Sequence, residues 1–221
     1  MDNAGSIHDI AHVPEDREPE CGIASAGEEM RAAPRLTLLI RAAKLVSSNG
    51  EFVCIVRDVS DTGLSVRLFH NAPTGEEFEL QMAGGASYAI KSVWTKGREA
   101  GFEFPERIDA LKLLAEADEY PKRGLRLDLC FPVCVTTLEG TCKAVVENFS
   151  QQGARLESDG LFAIDQSIRI KSMADAATFE EVRAKVRWRR DSQYGVVFDD
   201  TFTLENFARL AAKVQAPGLL R

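Results

Sequence analysis

Short apolar and alternating stretches dominate the chain between residues 36 and 104. Two longer runs come first, Leu36–Val46 and Glu51–Val59, and Ser48-Asn49-Gly50 between them is typical of a hairpin turn. The runs are rich in Val, Ile and Leu, and they are too short and too regularly interrupted for long helices. The pattern predicts six strands here: Leu36–Val46, Glu51–Val59, Leu64–Leu68, Phe78–Met82, Ala89–Trp94 and Ala100–Phe104.

The same pattern recurs about 90 residues further along, which is the mark of an internal repeat. Asp58-Val-Ser60-Asp-Thr-Gly63 corresponds to Asn148-Phe-Ser150-Gln-Gln-Gly153, and Val93-Trp94 before a Gly-x-x-Phe sequence corresponds to Arg187-Trp188. Order and spacing are kept throughout, so chance is a poor explanation. The second copy predicts the strands Val133–Thr137, Thr141–Glu147, Ala154–Leu156, Ser167–Lys171, Val182–Trp188 and Gly195–Phe198.

Each copy closes with an amphipathic segment of helical periodicity. The apolar positions expected on one face are Ile108, Leu111, Leu114 and Ala115 in the first copy, and Phe207, Leu210, Ala211 and Val214 in the second. The predicted fold is therefore mainly β, with two tandem six-stranded antiparallel β-barrels, each followed by a C-terminal α-helix. The predicted bounds are an acidic, disordered tail over 1–28, a first domain over 29–119 and a second over 120–221.

Charge is distributed unevenly along the chain. The net charge of −7 resides in the first 30 residues, whose only basic residue is Arg17, so the remainder is neutral. A neutral body argues against DNA or RNA as a partner, because such proteins usually carry a basic excess. No apolar run is long enough for a membrane span, and the acidic start does not fit a secretory signal. A cytoplasmic location is the resulting expectation.

Two short motifs, combined with this strand pattern, resemble the PilZ domain family. The first is Arg31-x-x-x-Arg35, and the second, after a strand pair, is Asp58-x-Ser60-x-x-Gly63. The resemblance covers about 31–118 and again about 122–215. It implies a six-stranded barrel that binds the second messenger cyclic di-GMP (c-di-GMP) and passes the signal to a downstream protein, which the sequence does not identify.

The motif residues of the first copy suit a ligand with two phosphates and two guanines. The Arg31 and Arg35 guanidinium groups can grip a phosphate or a guanine edge with paired hydrogen bonds. The Asp58 carboxylate can accept from guanine N1–H and N2–H, and Ser60 can bond the ligand or the turn backbone. Gly63 would permit a positive φ or a close approach of the ligand, although an ordinary turn explains it as well.

The second copy departs from the motif at two positions. Lys122 replaces the first arginine without its planar fork, and Arg123 is one position out of register. Asn148 replaces the aspartate and loses its charge. We therefore expect the first copy to be the stronger site and the second to be weaker. The residues assigned to that second site are Lys122, Arg123, Arg126, Asn148, Ser150 and Gly153.

The sequence is compatible with three classes of function to different degrees. The leading hypothesis is a receptor without catalytic activity, and the alternative is a degenerate PilZ protein-interaction module that does not bind nucleotide. An enzyme is disfavoured because the sequence offers no nucleophile–base pair, no metal-ligand set and no Gly-rich phosphate loop, so no cofactor, metal or catalytic residue is predicted. Trp94 and Trp188 could stack on bases, but packing in the core or at the barrel end is the favoured interpretation.

Overall fold

Two consecutive β-barrels make up the computed structural model, which describes residues 36–119, 124–173, 179 and 181–221. The predicted tail over 1–28 lies outside the described residues. The first barrel contains six strands, each near its predicted position: β1 Leu36–Ser47, β2 Gly50–Ser60, β3 Gly63–Leu68, β4 Glu77–Met82, β5 Ser87–Lys96 and β6 Glu99–Glu103.

The first barrel closes by antiparallel pairing in the order β1-β2-β3-β6-β5-β4, with β4 returning to β1. Alternation along the strands sends one face inward, and the β4 burial pattern shows it, with Phe78, Leu80 and Met82 all buried. The hairpin predicted at Ser48-Asn49-Gly50 joins β1 to β2, where Ser47 pairs with Gly50.

The second barrel repeats this topology and carries one additional strand. Its elements are β7 Arg126–Leu127, β8 Phe131–Thr136, β9 Thr141–Ser150, β10 Gly153–Glu157, β11 Ser167–Ser172, β12 Val182–Arg190 and β13 Gln193–Phe198. The sheet order is β10-β13-β12-β11-β8-β9-β7, and a further β9–β10 pairing closes the barrel. The prediction of two six-stranded antiparallel barrels is confirmed. The short β7, which pairs with the end of β9, was not predicted.

Helix α2, Leu204–Gln215, follows the second barrel as predicted. The Thr203 side chain accepts a hydrogen bond from the Asn206 backbone N–H at 3.2 Å and caps the helix. The predicted apolar face is confirmed, because Phe207, Leu210 and Ala211 are buried. A short 3-10 turn, Pro217–Leu220, ends the chain.

Helix α1, Ala110–Glu119, follows the first barrel, but its buried face differs from the predicted one. Ala110 and Leu113 are buried, whereas Leu111 is exposed and Ile108 precedes the helix. The helix begins at Ala110, and its first turn places Ala110 and Leu113 together, three residues apart, against the core. Within the described part of the chain, neither helix is long and apolar enough to cross a membrane.

The two barrels share their cores. Val53 of β2 is fully buried within the apolar cluster of the second barrel. In the opposite direction, Ala216 and Leu219, which follow α2, pack against the core of the first. The described residues belong to one compact unit. The predicted domain bounds, 29–119 and 120–221, stay predictions.

Gln215 at the end of α2 joins the barrels through the backbone of Glu51. The Glu51 N–H donates to Gln215 Oε1 at 2.7 Å, and Gln215 Nε2 donates to the Glu51 carbonyl oxygen at 2.8 Å. A primary amide thereby pairs with both backbone groups of one residue, as a neighbouring strand would. The contact ties the last helix of the chain to the second strand.

We predict that Gln215→Ala lowers the free energy of unfolding by about 1–3 kcal/mol, because it leaves the Glu51 N–H and carbonyl without these partners. Chemical denaturation checks the value. Asn206→Ala on the exposed side of α2 is the control, with an expected change below about 0.5 kcal/mol. Equal effects of the two changes would contradict the importance of the Gln215 contact.

His70 is a buried titratable group at the end of β3. It is 1% exposed, and its Nδ1 lies 2.7 Å from the Asn71 carbonyl oxygen. Because a carbonyl only accepts, Nδ1 carries the proton, and Nε2 is buried without a hydrogen-bond partner among the described residues. Burial lowers the pKa of His70, Arg209 and Arg98 lower it further, and the Asn71 carbonyl opposes the shift. Folding therefore favours the neutral form of His70.

We predict that His70 makes the protein less stable as the pH falls below about 6.5, the ordinary histidine value. The unfolded chain then binds a proton that the folded state excludes, so protonation favours unfolding. Melting temperatures at pH 7.5 and 5.5 measure the effect in wild type and in His70→Asn, whose amide can still donate to the Asn71 carbonyl. The difference between the two pH values should be smaller in the variant; an unchanged difference would contradict the assignment.

Candidate functional site

A transverse row of residues crosses four strands on the outer face of the second barrel. Asn148 on β9 pairs with Arg155 on β10, Arg155 pairs with Gly195 on β13, and Gly195 pairs with Trp188 on β12. The register shifts at Glu147, before Asn148, and at Arg187, before Trp188. Such irregularities re-aim the residues beside them. The barrel thus brings together side chains that are far apart in sequence.

The first barrel has the same row, with different side chains at two of its four positions. Asp58 pairs with Ser65, Ser65 with Gly101, and Gly101 with Trp94. Ser65 Oγ donates to Asp58 Oδ2 at 2.9 Å, so a neutral hydroxyl stands where the second copy has Arg155. The scaffold is therefore common to both copies, and its chemistry is not.

Each tryptophan lies over the glycine opposite it. A Cβ at Gly195 would be 1.9 Å from Trp188 Nε1, and one at Gly101 would be 2.0 Å from Trp94 Nε1. Only glycine leaves room for the indole at these positions. The two tryptophans are 43% and 44% exposed, so neither is part of a core, and each packs against the glycine of the neighbouring strand instead. The shared glycine explains why the Trp and Gly-x-x-Phe features recur together.

The serine and glycine of each motif form the turn at the end of the row. Ser60 Oγ donates to the Gly63 carbonyl oxygen at 3.2 Å, and Ser150 Oγ donates to the Gly153 carbonyl oxygen at 3.0 Å. Neither glycine has a positive φ. Instead a Cβ at Gly153 would be 2.2 Å from the Val196 carbonyl oxygen, and the same crowding occurs at Gly63. The glycines are required by the close approach of the neighbouring strand.

A cleft of about 1120 Å³ opens over the row of the second barrel. Its lining includes Asn148, Ser150, Gly153 and Trp188 on one side. The first barrel contributes further lining residues from paired positions on β1 and β4, among them Lys44 and Gln81. The cleft therefore lies between the two barrels.

Positive charge dominates the lining. The described residues that line the cleft include no carboxylate. They include six cationic residues: Lys44, Arg126, Arg155, Arg187, Arg189 and Arg190. Such a surface favours an anionic ligand.

Three of the arginines are held in place by neighbours. Arg155 pairs with Glu147 at 2.9 Å, and Arg187 pairs with Asp165 at 3.1 Å. The Arg189 guanidinium lies 5.7 Å from the centre of the Tyr194 ring, within the range of a cation–π contact. These contacts reduce the conformational entropy that a ligand would otherwise have to remove.

The family model of the PilZ domain matches residues 29–116 and 121–216. The chain belongs to the PilZ domain family. Both matches agree with the two tandem copies predicted from the repeat. None of the curated proteins matches this chain.

Several solved structures are similar to this chain, but only at a distance. The PilZ domain of CeSA from a cellulose-synthesizing bacterium is 18% identical, with a TM-score of 0.31, over 41% of this chain and 94% of that one. The Borreliella burgdorferi PlzA protein in complex with c-di-GMP is 12% identical, with a TM-score of 0.35, over 80% and 88%. Bacillus subtilis MotI/DgrA is 16% identical, with a TM-score of 0.33, over 82% and 98%. The family assignment rests on the sequence match.

The predicted PilZ motif residues are only partly covered by the described structure. Arg31, Arg35, Lys122 and Arg123 lie outside the described residues, so their part in a site stays a prediction. Arg126 is exposed on β7 and pairs with Ser150 in the strand register. The remaining predicted residues lie at the β2–β3 and β9–β10 turns, and their part in a ligand site stays a prediction: Asp58, Ser60 and Gly63 in the first barrel, and Asn148, Ser150 and Gly153 in the second.

Sequence reasoning missed most of the cationic lining. Arg187, Arg189 and Arg190 flank Trp188 in one strand, and this run is visible in the sequence beside the repeated tryptophan. Lys44 gives no such signal, because it reaches the cleft only through the packing of one barrel against the other. The PilZ motifs therefore pointed to Asn148, Ser150 and Gly153 among the lining residues, but not to most of the cationic ones.

We predict that Gly195→Ala displaces the Trp188 indole, because the added methyl group would occupy its place. In a Trp94→Phe background Trp188 is the sole tryptophan, and its fluorescence emission should move towards longer wavelength as the ring leaves the sheet. Gly101→Ala in that background is the matched control and should leave the emission unchanged. An unaltered Gly195→Ala spectrum, with an intact circular dichroism spectrum, would contradict the contact.

Proposed function

We propose that this protein is a c-di-GMP receptor without catalytic activity, and that the cleft of the second PilZ barrel binds this ligand. One observation carries the proposal: the motif residues Asn148, Ser150 and Gly153 line a cleft whose charged side chains are all cationic. A dinucleotide with two phosphates requires such a surface, and membership of the PilZ family supports this ligand.

Each part of the ligand has suitable groups in the cleft. Arginine forks can bind a phosphate or the O6 and N7 atoms of guanine with two parallel hydrogen bonds. Arg126 and Arg190 are exposed and can turn towards either. The Asn148 amide oxygen can accept from guanine N1–H or N2–H. The half-exposed Trp188 ring offers a face for stacking a base.

The motif and the cleft favour different copies as the c-di-GMP site. The motif favours the first, with Arg31, Arg35 and Asp58, and that expectation stays a prediction. The cleft supports the second copy, whose arginines replace neutral groups of the first: Arg155 stands at the position of Ser65, and Arg187 at that of Val93. The added arginines compensate for the loss of the aspartate and of the first motif arginine.

Transmission of the signal would use the position of the cleft. A ligand that contacts Lys44 and Gln81 together with the second barrel binds better when the two barrels are held together as here. Such differential affinity shifts the population towards that arrangement. A downstream protein that distinguishes the arrangements would receive the signal.

We predict that Arg126→Ala weakens c-di-GMP binding by about 10- to 100-fold, the effect of losing a charge-assisted hydrogen bond of about 1.5–3 kcal/mol. Calorimetric titration measures both affinity and stoichiometry. Arg183→Ala is the matched control, because Arg183 is an exposed arginine of the same barrel that does not line the cleft. Arg35→Ala, titrated in parallel, reports the contribution of the first copy.

Two outcomes would overturn the proposal in different ways. No heat and no rise in melting temperature at high micromolar c-di-GMP would favour the degenerate interaction module, since a ligand that binds only the folded state must stabilise it. Binding that Arg35→Ala abolishes and Arg126→Ala leaves unchanged would assign the site to the first copy alone.

A further inference from the structure

Asp128 contacts the motif asparagine of the second copy directly. Asn148 Nδ2 donates to Asp128 Oδ1 at 2.8 Å. Asp128 follows β7, and Asn148 lines the cleft. We propose that Asp128 is a positioning residue that orients the Asn148 amide for guanine recognition, an inference that rests on the proposed function.

The chemistry of the pair permits one orientation of the amide. A carboxylate can only accept hydrogen bonds, so the amide nitrogen of Asn148 must face Asp128. The carbonyl oxygen is then turned away from Asp128. Guanine N1–H and N2–H both donate, and they require an acceptor. In the opposite orientation the Asn148 amide nitrogen would face guanine N1–H or N2–H. Two donors would then meet, and the contact with guanine would be repulsive.

The first copy does not need such a residue. Its motif position is Asp58, whose carboxylate has two equivalent oxygens and no wrong orientation. Asp58 Oδ2 accepts from Ser65, and the other oxygen remains an acceptor. An asparagine at this position loses that symmetry. Asp128 supplies the missing constraint at the motif position where the second copy departs from aspartate.

The backbone of Asp128 is itself held by the first barrel. Its N–H donates to Glu51 Oε2 at 2.8 Å, and Glu51 Oε1 accepts from Lys44 Nζ at 2.8 Å. The Glu51 backbone is paired with Gln215. A continuous path of hydrogen bonds thus runs from the contact between the barrels to the Asn148 amide. A change of the Asp128 side chain leaves the backbone link to Glu51 in place.

Electrostatics and positioning predict opposite effects of removing Asp128. The carboxylate is a negative charge beside a cationic cleft, so charge alone predicts that Asp128→Ala binds an anionic dinucleotide more tightly. If Asp128 orients Asn148, the same change weakens binding. The sign of the effect therefore separates the two roles.

The test compares two cyclic dinucleotides of equal charge. On the edge where guanine presents N1–H and N2–H, the adenine of cyclic di-AMP presents an acceptor nitrogen and a C–H group, so an Asn148 oxygen directed at that edge disfavours it. We expect Asp128→Ala to weaken c-di-GMP binding about tenfold and to reduce the preference for c-di-GMP over cyclic di-AMP by a similar factor. Glu139→Ala removes an exposed carboxylate from the β8–β9 turn of the same barrel and should change neither value.

A double variant provides the rescue. In Asp128→Asn with Asn148→Asp, the introduced amide can donate to the introduced carboxylate, and an acceptor oxygen remains beside the cleft. The double variant should recover the preference for c-di-GMP that Asp128→Ala loses. Melting temperatures of all variants show whether each remains folded.

The outcomes distinguish this inference from the proposed function. Wild-type binding with an unchanged or tighter Asp128→Ala variant overturns the positioning role and leaves the receptor intact. Weaker binding of both dinucleotides by the same factor, without rescue, also overturns it, because only general support of the fold would remain. Absence of c-di-GMP binding in wild type overturns both.

Discussion

The backbone of Glu51 is the point on which the arrangement of the two barrels depends. The side chain of Gln215, from the last helix, pairs with the N–H and carbonyl groups of Glu51. The Glu51 carboxylate accepts hydrogen bonds from Lys44 and from the Asp128 N–H. The contacts with Gln215 and Asp128 join parts of the chain that are distant in sequence. The partly buried bonds to Gln215 and Lys44 add modest stability but are costly to leave unmade, so they favour one geometry of the interface. The shape of the cleft follows from that geometry.

The two copies show how one scaffold supports different chemistry. The transverse row, the glycine beneath the tryptophan and the serine-closed turn recur in both barrels, and each is explained by strand register or by lack of space for a Cβ. What differs is the side chains that point outward from the row. In the first barrel the neutral Ser65 hydroxyl donates to the Asp58 carboxylate, whereas Asn148 and Arg155 occupy the corresponding positions in the second. The charged member of this pair of positions is an aspartate in the first barrel and an arginine in the second.

Local sequence patterns predicted the strands well, and the reasons are physical. Alternation of apolar residues and the Ser48-Asn49-Gly50 turn specify strands and a hairpin without reference to the rest of the chain, so the predicted ends lie within a few residues of the observed ones. The α1 face was less well predicted, because its periodicity was counted from Ile108, before the helix begins. β7 was missed because two residues carry no periodicity. Motif spacing located Asn148 and Ser150 in the candidate site. Lys44 and Asp128 could not be found in this way, because their roles arise from packing between barrels and from one side-chain contact.

The exchange of apolar contacts between the barrels has a consequence for how such a chain can change during evolution. Val53 completes the core of the second barrel, and Leu219 covers that of the first. A gene fragment encoding either repeat alone would leave an apolar surface open to water, even though each repeat has all the strands of a closed barrel. The two repeats are therefore parts of one compact unit. If recombination transferred one copy to another protein, that protein would have to cover the apolar surface that the other copy covers here.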